Sequence, residues 1–124
     1  MPAKRFPART AAEISAIKYF YLRAGAEHRF TAVWVVVVDG RVLVRPWNDK
    51  PAGWYRAFLA SKRGAVKVGE KEISVRATPV RAKALLDAMD AGYAAKYTTK
   101  PNNAYVKGFA TPERRANTLE LVPA

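Results

Sequence analysis

The sequence predicts a mainly β domain with helices in its crossovers (α+β), rolled into a small, partly open antiparallel barrel. Three observations carry that expectation. A β-branched and aromatic run around Asp39-Gly40 reads as a tight hairpin from Phe30 to Trp47. A second alternating pair spans residues 65 to 78, and a last alternation runs from Thr118 to Val122. Short strands of this kind hide their edges best by closing on themselves.

The elements follow in order. Residues 1–9 form an expected flexible N-terminal segment of a single domain covering 1–124. Thr10-Ala-Ala-Glu13 has the spacing of a capping box, and Ile14, Ile17 and Tyr21 fall on one helical face, which predicts a helix over about 11–24, ending near Gly25. In the second strand of the first hairpin, period two puts Arg41, Leu43, Arg45 and Trp47 on one side and Val42, Val44 and Pro46 on the other. One face is thus apolar, the other cationic and aromatic.

Asn48 to Gly53 reads as a loop, and 54–62 as a short amphipathic helix with Trp54, Phe58 and Leu59 on one side. In the second hairpin Val66, Val68, Ile73, Val75 and Ala77 face inward around a turn at Gly69-Glu70. A helix over about 81–97 aligns Leu85, Met89, Tyr93 and Tyr97, with Gly92 its weak point. Residues 98–116 read as a polar connection before the last strand, which places Leu119 and Leu121 on one side.

The chain has 22 Lys and Arg against 10 Asp and Glu, a formal net charge of +12, so an anionic partner is expected. Eleven of those cations lie in residues 41 to 83 with only Asp49, Glu70 and Glu72 beside them, and no block of five like charges occurs; this suits a folded basic surface. With no cysteine and a single histidine, neither a disulfide framework nor a thiolate or imidazole metal centre is expected. No segment has signal-peptide or membrane-spanning character, which leaves a cytoplasmic protein without a membrane role as the expectation.

Hydrolase and triphosphatase chemistry lack their motifs: there is no G-x-S-x-G elbow, no Walker A loop and no G-x-G-x-x-G. Asp87 with Asp90 is an i, i+3 carboxylate pair that reads as solvated surface rather than as a metal or acid-base site. His28 reads as a loop histidine able to exchange protons if it borders a ligand. Tyr93, Tyr97 and Tyr105 could reach a ligand, the first two being placed as core. The richest stretch is Arg45 to Arg56, which joins three cations, two indoles and a phenol at a strand-to-helix junction. Charge-assisted donors there suit a phosphate, and a flat ring could stack on Trp47 or Trp54; equally, Trp54 and Tyr55 could anchor the short helix with the cations solvated.

The run Phe30-Thr-Ala-Val-Trp-Val-Val-Val-Val-Asp-Gly-Arg-Val-Leu-Val-Arg45, followed by Trp47-Asn-Asp-Lys50, Trp54-Tyr55 and Ala65-Val-Lys-Val-Gly69, resembles the flavin-binding split-barrel superfamily. The likeness is to pyridoxamine-phosphate-oxidase-like proteins and deazaflavin-dependent nitroreductases, and most to a small uncharacterised family of that type. It covers residues 28 to 80, and the C-terminal third in outline. The resemblance implies a six-stranded antiparallel split β-barrel, a homodimer, and FMN or a deazaflavin at the subunit interface. It implies a phosphate role for Arg45, Asn48 and Lys50, ring packing for Trp47 and Trp54, and a strand along the ring system carrying Thr31 and Trp34. Asp49 and Pro51 depart from the family's small-residue turn, one adding an acid and the other removing an N–H donor.

The expected function is therefore a flavin-type cofactor-binding protein, an oxidoreductase if the bound cofactor is used. The alternatives are a small basic nucleic-acid-binding barrel with stacking aromatics, and a cofactor-less dimerising split barrel. A single tight pocket favours the first; a continuous cationic track favours the second.

Overall fold

The computed structural model of the chain describes residues 5–124. Its elements are α1 (Ala8–Ala16), β1 (Phe20–Ala24), β2 (Thr31–Val33), β3 (Val35–Val38), β4 (Arg41–Val44), α2 (Trp54–Ser61), β5 (Arg63–Val68), β6 (Lys71–Pro79), α3 (Lys83–Lys96), α4 (Asn103–Phe109), α5 (Pro112–Arg115) and β7 (Leu119–Pro123). The strands form one antiparallel sheet in the order β2-β1-β5-β6-β7-β4-β3. β2 and β3 are the two edges of that sheet, yet only Trp34 separates them in sequence. The segment 31–38 therefore joins edge to edge, and the sheet curls into a nearly closed barrel. The α+β barrel expected from the sequence is the architecture found, with seven strand segments in place of six because the strand is broken at Trp34.

Asp39 and Gly40 both take positive φ, 50° and 77°, which is the type I′ turn that the Asp-Gly dipeptide favours. The hairpin they close is shorter than expected: β3 pairs with β4 only from Val35↔Val44 to Val38↔Arg41, while Thr31 to Val33 turn away to pair with β1. The second hairpin and the β7 return follow the expected alternation, with Val66, Val68, Val75, Ala77, Leu119 and Leu121 buried.

Two apolar layers result. Phe20, Leu22, Val35, Val42, Val44, Val66, Val75, Leu119 and Leu121 fill the barrel, joined by Ile14 of α1 and Phe58 of α2. On the outside of β3 and β4, Val36 and Leu43 meet Leu85, Met89, Tyr93 and Tyr97 of α3, the stripe expected for that helix. Gly92 lets α3 settle onto Val36, where a β-carbon would collide. The side of β4 expected to be a cationic surface is thus covered by a helix.

Several expectations are corrected. The first helix starts at Ala8 after Pro7 and ends at Ala16, so Thr10 lies inside its first turn and forms no capping box. Phe20–Ala24 is a strand: Phe20, Leu22 and Ala24 point into the barrel and Tyr21 points out, a period of two that the Ile14-Ile17-Tyr21 spacing masked. In α2 the buried pair is Tyr55 and Phe58, and Leu59 is exposed. Residues 98–116 contain α4 and α5 rather than a bare connection. Of the N-terminal segment, residues 1–4 lie outside the described residues; Phe6 is buried in the barrel core and Ala8 and Arg9 belong to α1.

Candidate functional site

A cleft of about 810 Å³ opens between the β2 strand with its preceding loop, the β4–α2 connection and α4. That is the volume of a site for a cofactor-sized ligand. All seven residues singled out from the sequence line it: Thr31, Trp34, Arg45, Trp47, Asn48, Lys50 and Trp54. The break of the strand at Trp34 puts Thr31 and Trp34 in its wall, and the extended chain from Pro46 to Gly53 delivers Trp47, Asn48 and Lys50 before α2 begins. His28 and Arg29 join them, so the lining holds Arg29, Arg45, Lys50 and one imidazole but no carboxylate.

Asp49, the acid of the Asn48–Gly53 loop, does not line the cleft. Both its oxygens accept from Arg56, at 2.6 Å each, on the exposed start of α2. The fork leaves Lys50 without an acidic neighbour in the cleft lining and holds the loop against the helix.

Arg45 lines the wall in a different state from the one expected. It is 1 % exposed; its Nε donates to Thr118 Oγ1 (2.8 Å), and its Nη1 donates to Asp90 Oδ1 (2.7 Å) and to the Phe109 carbonyl (2.8 Å). Its remaining nitrogen, Nη2, is enclosed without a partner beside the Tyr93 ring. A guanidinium so engaged is no open phosphate ligand; it ties β4, α3, α4 and β7 together at the back of the cleft. Asp90 also accepts from Arg115 Nη1, and Asp87 from Arg115 and Lys83, both of which hold its carboxyl below the ordinary range. The Asp87/Asp90 pair is therefore a clamp on the C-terminal helices and not free surface.

The aromatic lining is one connected assembly. Trp34 stacks face to face on Tyr97, with ring centres 3.9 Å apart, and touches Tyr105 and Phe109. Trp47 makes edge-to-face contacts with Tyr105 and Phe109, and the Arg114 guanidinium lies over its ring, 3.8 Å from the centroid. Arg114 also donates to the Trp47 and Gly108 carbonyls. Gly108 passes so close to the Trp47 indole that a β-carbon would collide with it. Trp54 packs edge-on against Tyr55 and Phe58 while remaining part of the lining.

Beneath this assembly, Tyr97 Oη accepts from the Val35 amide (3.1 Å) and donates to the Lys18 carbonyl (2.7 Å), linking α3 to the strand break. Burial pushes the Tyr97 phenol up to about 12 and the neighbouring Lys96 ammonium down to about 8; Lys96 donates to the Val35 carbonyl. Tyr93 is buried outright, which raises its phenol further.

The sequence left Tyr105 as a residue that could reach a ligand and His28 as a loop histidine; the structure puts both in the cleft lining. Sequence reasoning missed Tyr19, Arg29, Asn102 and Phe109. Tyr19 belonged to the misread helix, and α4 carries no long periodic signal.

A family model described as "Uncharacterized protein conserved in bacteria (DUF2255)" matches residues 10–121. The chain belongs to that family. The DUF2255 match covers every cleft residue, from Tyr19 to Phe109. No curated protein matches. Among solved structures the chain is similar to the crystal structure of conserved hypothetical protein Rv2991 from Mycobacterium tuberculosis. The TM-score is 0.56 at 14 % identity, covering 98 % of this chain and 82 % of that one. At that identity the likeness concerns the fold alone.

Proposed function

We propose that this DUF2255 protein binds a flavin-type cofactor, FMN or a deazaflavin, in the cleft. The observation that carries the reading is the lining itself: all seven residues read from the sequence meet in one cofactor-sized cleft, with cations and indoles but no carboxylate. A pocket of that kind suits a phosphate-bearing flat ring better than the long cationic track that a nucleic-acid strand requires. Asn48 and Lys50, with Arg29 and His28 beside them, would take the phosphate; Thr31, Trp34, Trp47 and Trp54 would pack the ring system. Arg45 takes a positioning role, holding the wall that presents Trp47 and Phe109.

When bound, such a cofactor supplies hydride or electron transfer, and the protein's part is anchoring, orientation and exclusion of water. Chemistry of that kind needs no nucleophile from the protein, which makes an oxidoreductase the enzyme class to test. A homodimer belongs to the same reading. Tyr19 and Tyr21 are 65 % and 47 % exposed at the start of β1, and Tyr19 borders the cleft, so a second copy on this face would bury the rim. Light scattering after size exclusion tests that arrangement; a clean monomer at micromolar concentration contradicts it.

The direct test is titration of the purified protein with FMN and with a deazaflavin cofactor, following fluorescence. Saturable binding of one of them is the expected result. No binding of either at high micromolar concentration, with salt-sensitive binding to single-stranded DNA instead, would overturn the reading in favour of nucleic acid.

A further inference from the structure

Arg63 of β5 and Arg76 of β6 are direct partners in the antiparallel register, so their side chains leave the same face of the sheet side by side. Both are exposed, and burial of Val75 and Ala77 on either side of Arg76 fixes that arginine outward. Like charges directly opposite one another destabilise a strand pair. Yet among the described residues neither arginine has an ion pair: Glu72 is engaged by Arg23 and Glu120 by Arg41. Lys62 adds a third cation. It sits at φ 61°, in the left-handed region, and its carbonyl accepts from the Ala77 amide (3.0 Å), which ties the end of α2 to β6.

These three cations, with the hydroxyl residues Ser61 and Thr78, line a groove of about 320 Å³ that contains no carboxylate. The groove lies at the C-terminal end of α2, whose N-terminal end at Trp54 and Tyr55 borders the large cleft, and the two share no lining residue. The partial negative charge of a helix C-terminus attracts nearby cations and would account for Lys62 and Arg63. It does not account for Arg76, which comes from another strand.

We propose that this groove is a second, independent oxyanion site, in which Arg63 and Arg76 clamp a phosphate group. Guanidinium forks match the oxygens of a phosphate, and a dianion between them converts a repulsive pair into an attractive one. The small volume suits a phosphate group with little attached rather than a second flavin-sized ligand.

The test is a titration with inorganic phosphate at constant ionic strength, followed by amide chemical shifts of the full chain. Saturable shifts centred on residues 61–64 and 76–78 are expected, with Arg76→Gln weakening binding about tenfold or more and Lys71→Gln leaving it unchanged. Phosphate should raise the thermal midpoint of the parent; Arg76→Gln should raise it at low ionic strength without phosphate, since it removes the repulsion, and should gain nothing further from phosphate. Shifts that never saturate, that spread evenly over the surface, or that persist in Arg76→Gln would overturn the site. A short single-stranded oligonucleotide that displaces phosphate from the same amides identifies a phosphodiester as the source; one that does not identifies a free phosphate group. Either result stands apart from the cleft, whose lining residues are different.

Discussion

The two walls of the cleft use the same residue types for opposite purposes. On the wall built from residues 28–34 and 47–54, His28, Arg29 and Lys50 stand exposed at the lining, and Asp49, next to Lys50, is paired with Arg56 instead. On the wall closed by α4 and α5, Arg45, Arg114 and Arg115 are consumed by carbonyls, carboxylates and an indole. A net charge of +12 therefore overstates the cations available to a ligand, because part of it is internal mortar. What qualifies a basic residue as an anion ligand is the lack of a partner, and that differs from one wall to the other.

The largest effect should come from breaking the internal wall. Asp90→Ala leaves the fully buried Arg45 guanidinium without its counter-ion and is expected to cost about 3–5 kcal/mol in denaturant unfolding. Arg45→Met added to Asp90→Ala should recover most of that loss, since the stranded charge is then gone. If Asp90→Ala melts like the parent, Arg45 is not held as described.

Next comes the contact between walls. Gly108→Ala drives a methyl into Trp47 and should cost about 2 kcal/mol, with a red-shifted tryptophan emission as the indole is displaced. Unchanged emission would mean that α4 and Trp47 are not in contact.

Tyr97→Phe is smaller, about 1–2 kcal/mol, because the Val35 amide loses its acceptor. It also carries a pH signature. The folded phenol is raised from 10.0 to about 12, so its contribution is full below pH 10 and is lost as pH climbs through 12. The variant should lose less stability than the parent across that window. Lys96 runs the other way: lowered from 10.5 to about 8, its burial penalty is full below pH 8 and relieved by pH 10.5.

The same comparison explains what could be read from the sequence. The stretch from Phe30 to Trp54 was legible because its signals are local: Asp39-Gly40 demands its turn, and alternation puts Arg45 and Trp47 on one side. The α3 stripe of Leu85, Met89, Tyr93 and Tyr97 was legible for the same reason. The C-terminal wall was not, because α4 and α5 are short and polar and owe their place to Trp47, Asp87 and Asp90, far away in sequence. Arg45 was assigned to the correct face of β4, but nothing local says that α3 covers that face. Phe20 to Ala24 was lost because a helical spacing running on from Ile14 competed with the alternation of a strand.

The smallest effect on stability belongs to the exposed wall, where Lys50→Ala should change unfolding by less than about 0.5 kcal/mol. It is also the variant that tests the central claim most directly. The measurement is the ratio of FMN to riboflavin affinity in the parent and in Lys50→Ala, since the two ligands differ only by the phosphate. The parent is expected to prefer FMN, and the variant to lose about tenfold of that preference while binding riboflavin as before. Equal losses for both ligands, or a preference untouched by the substitution, would contradict a phosphate held at this wall.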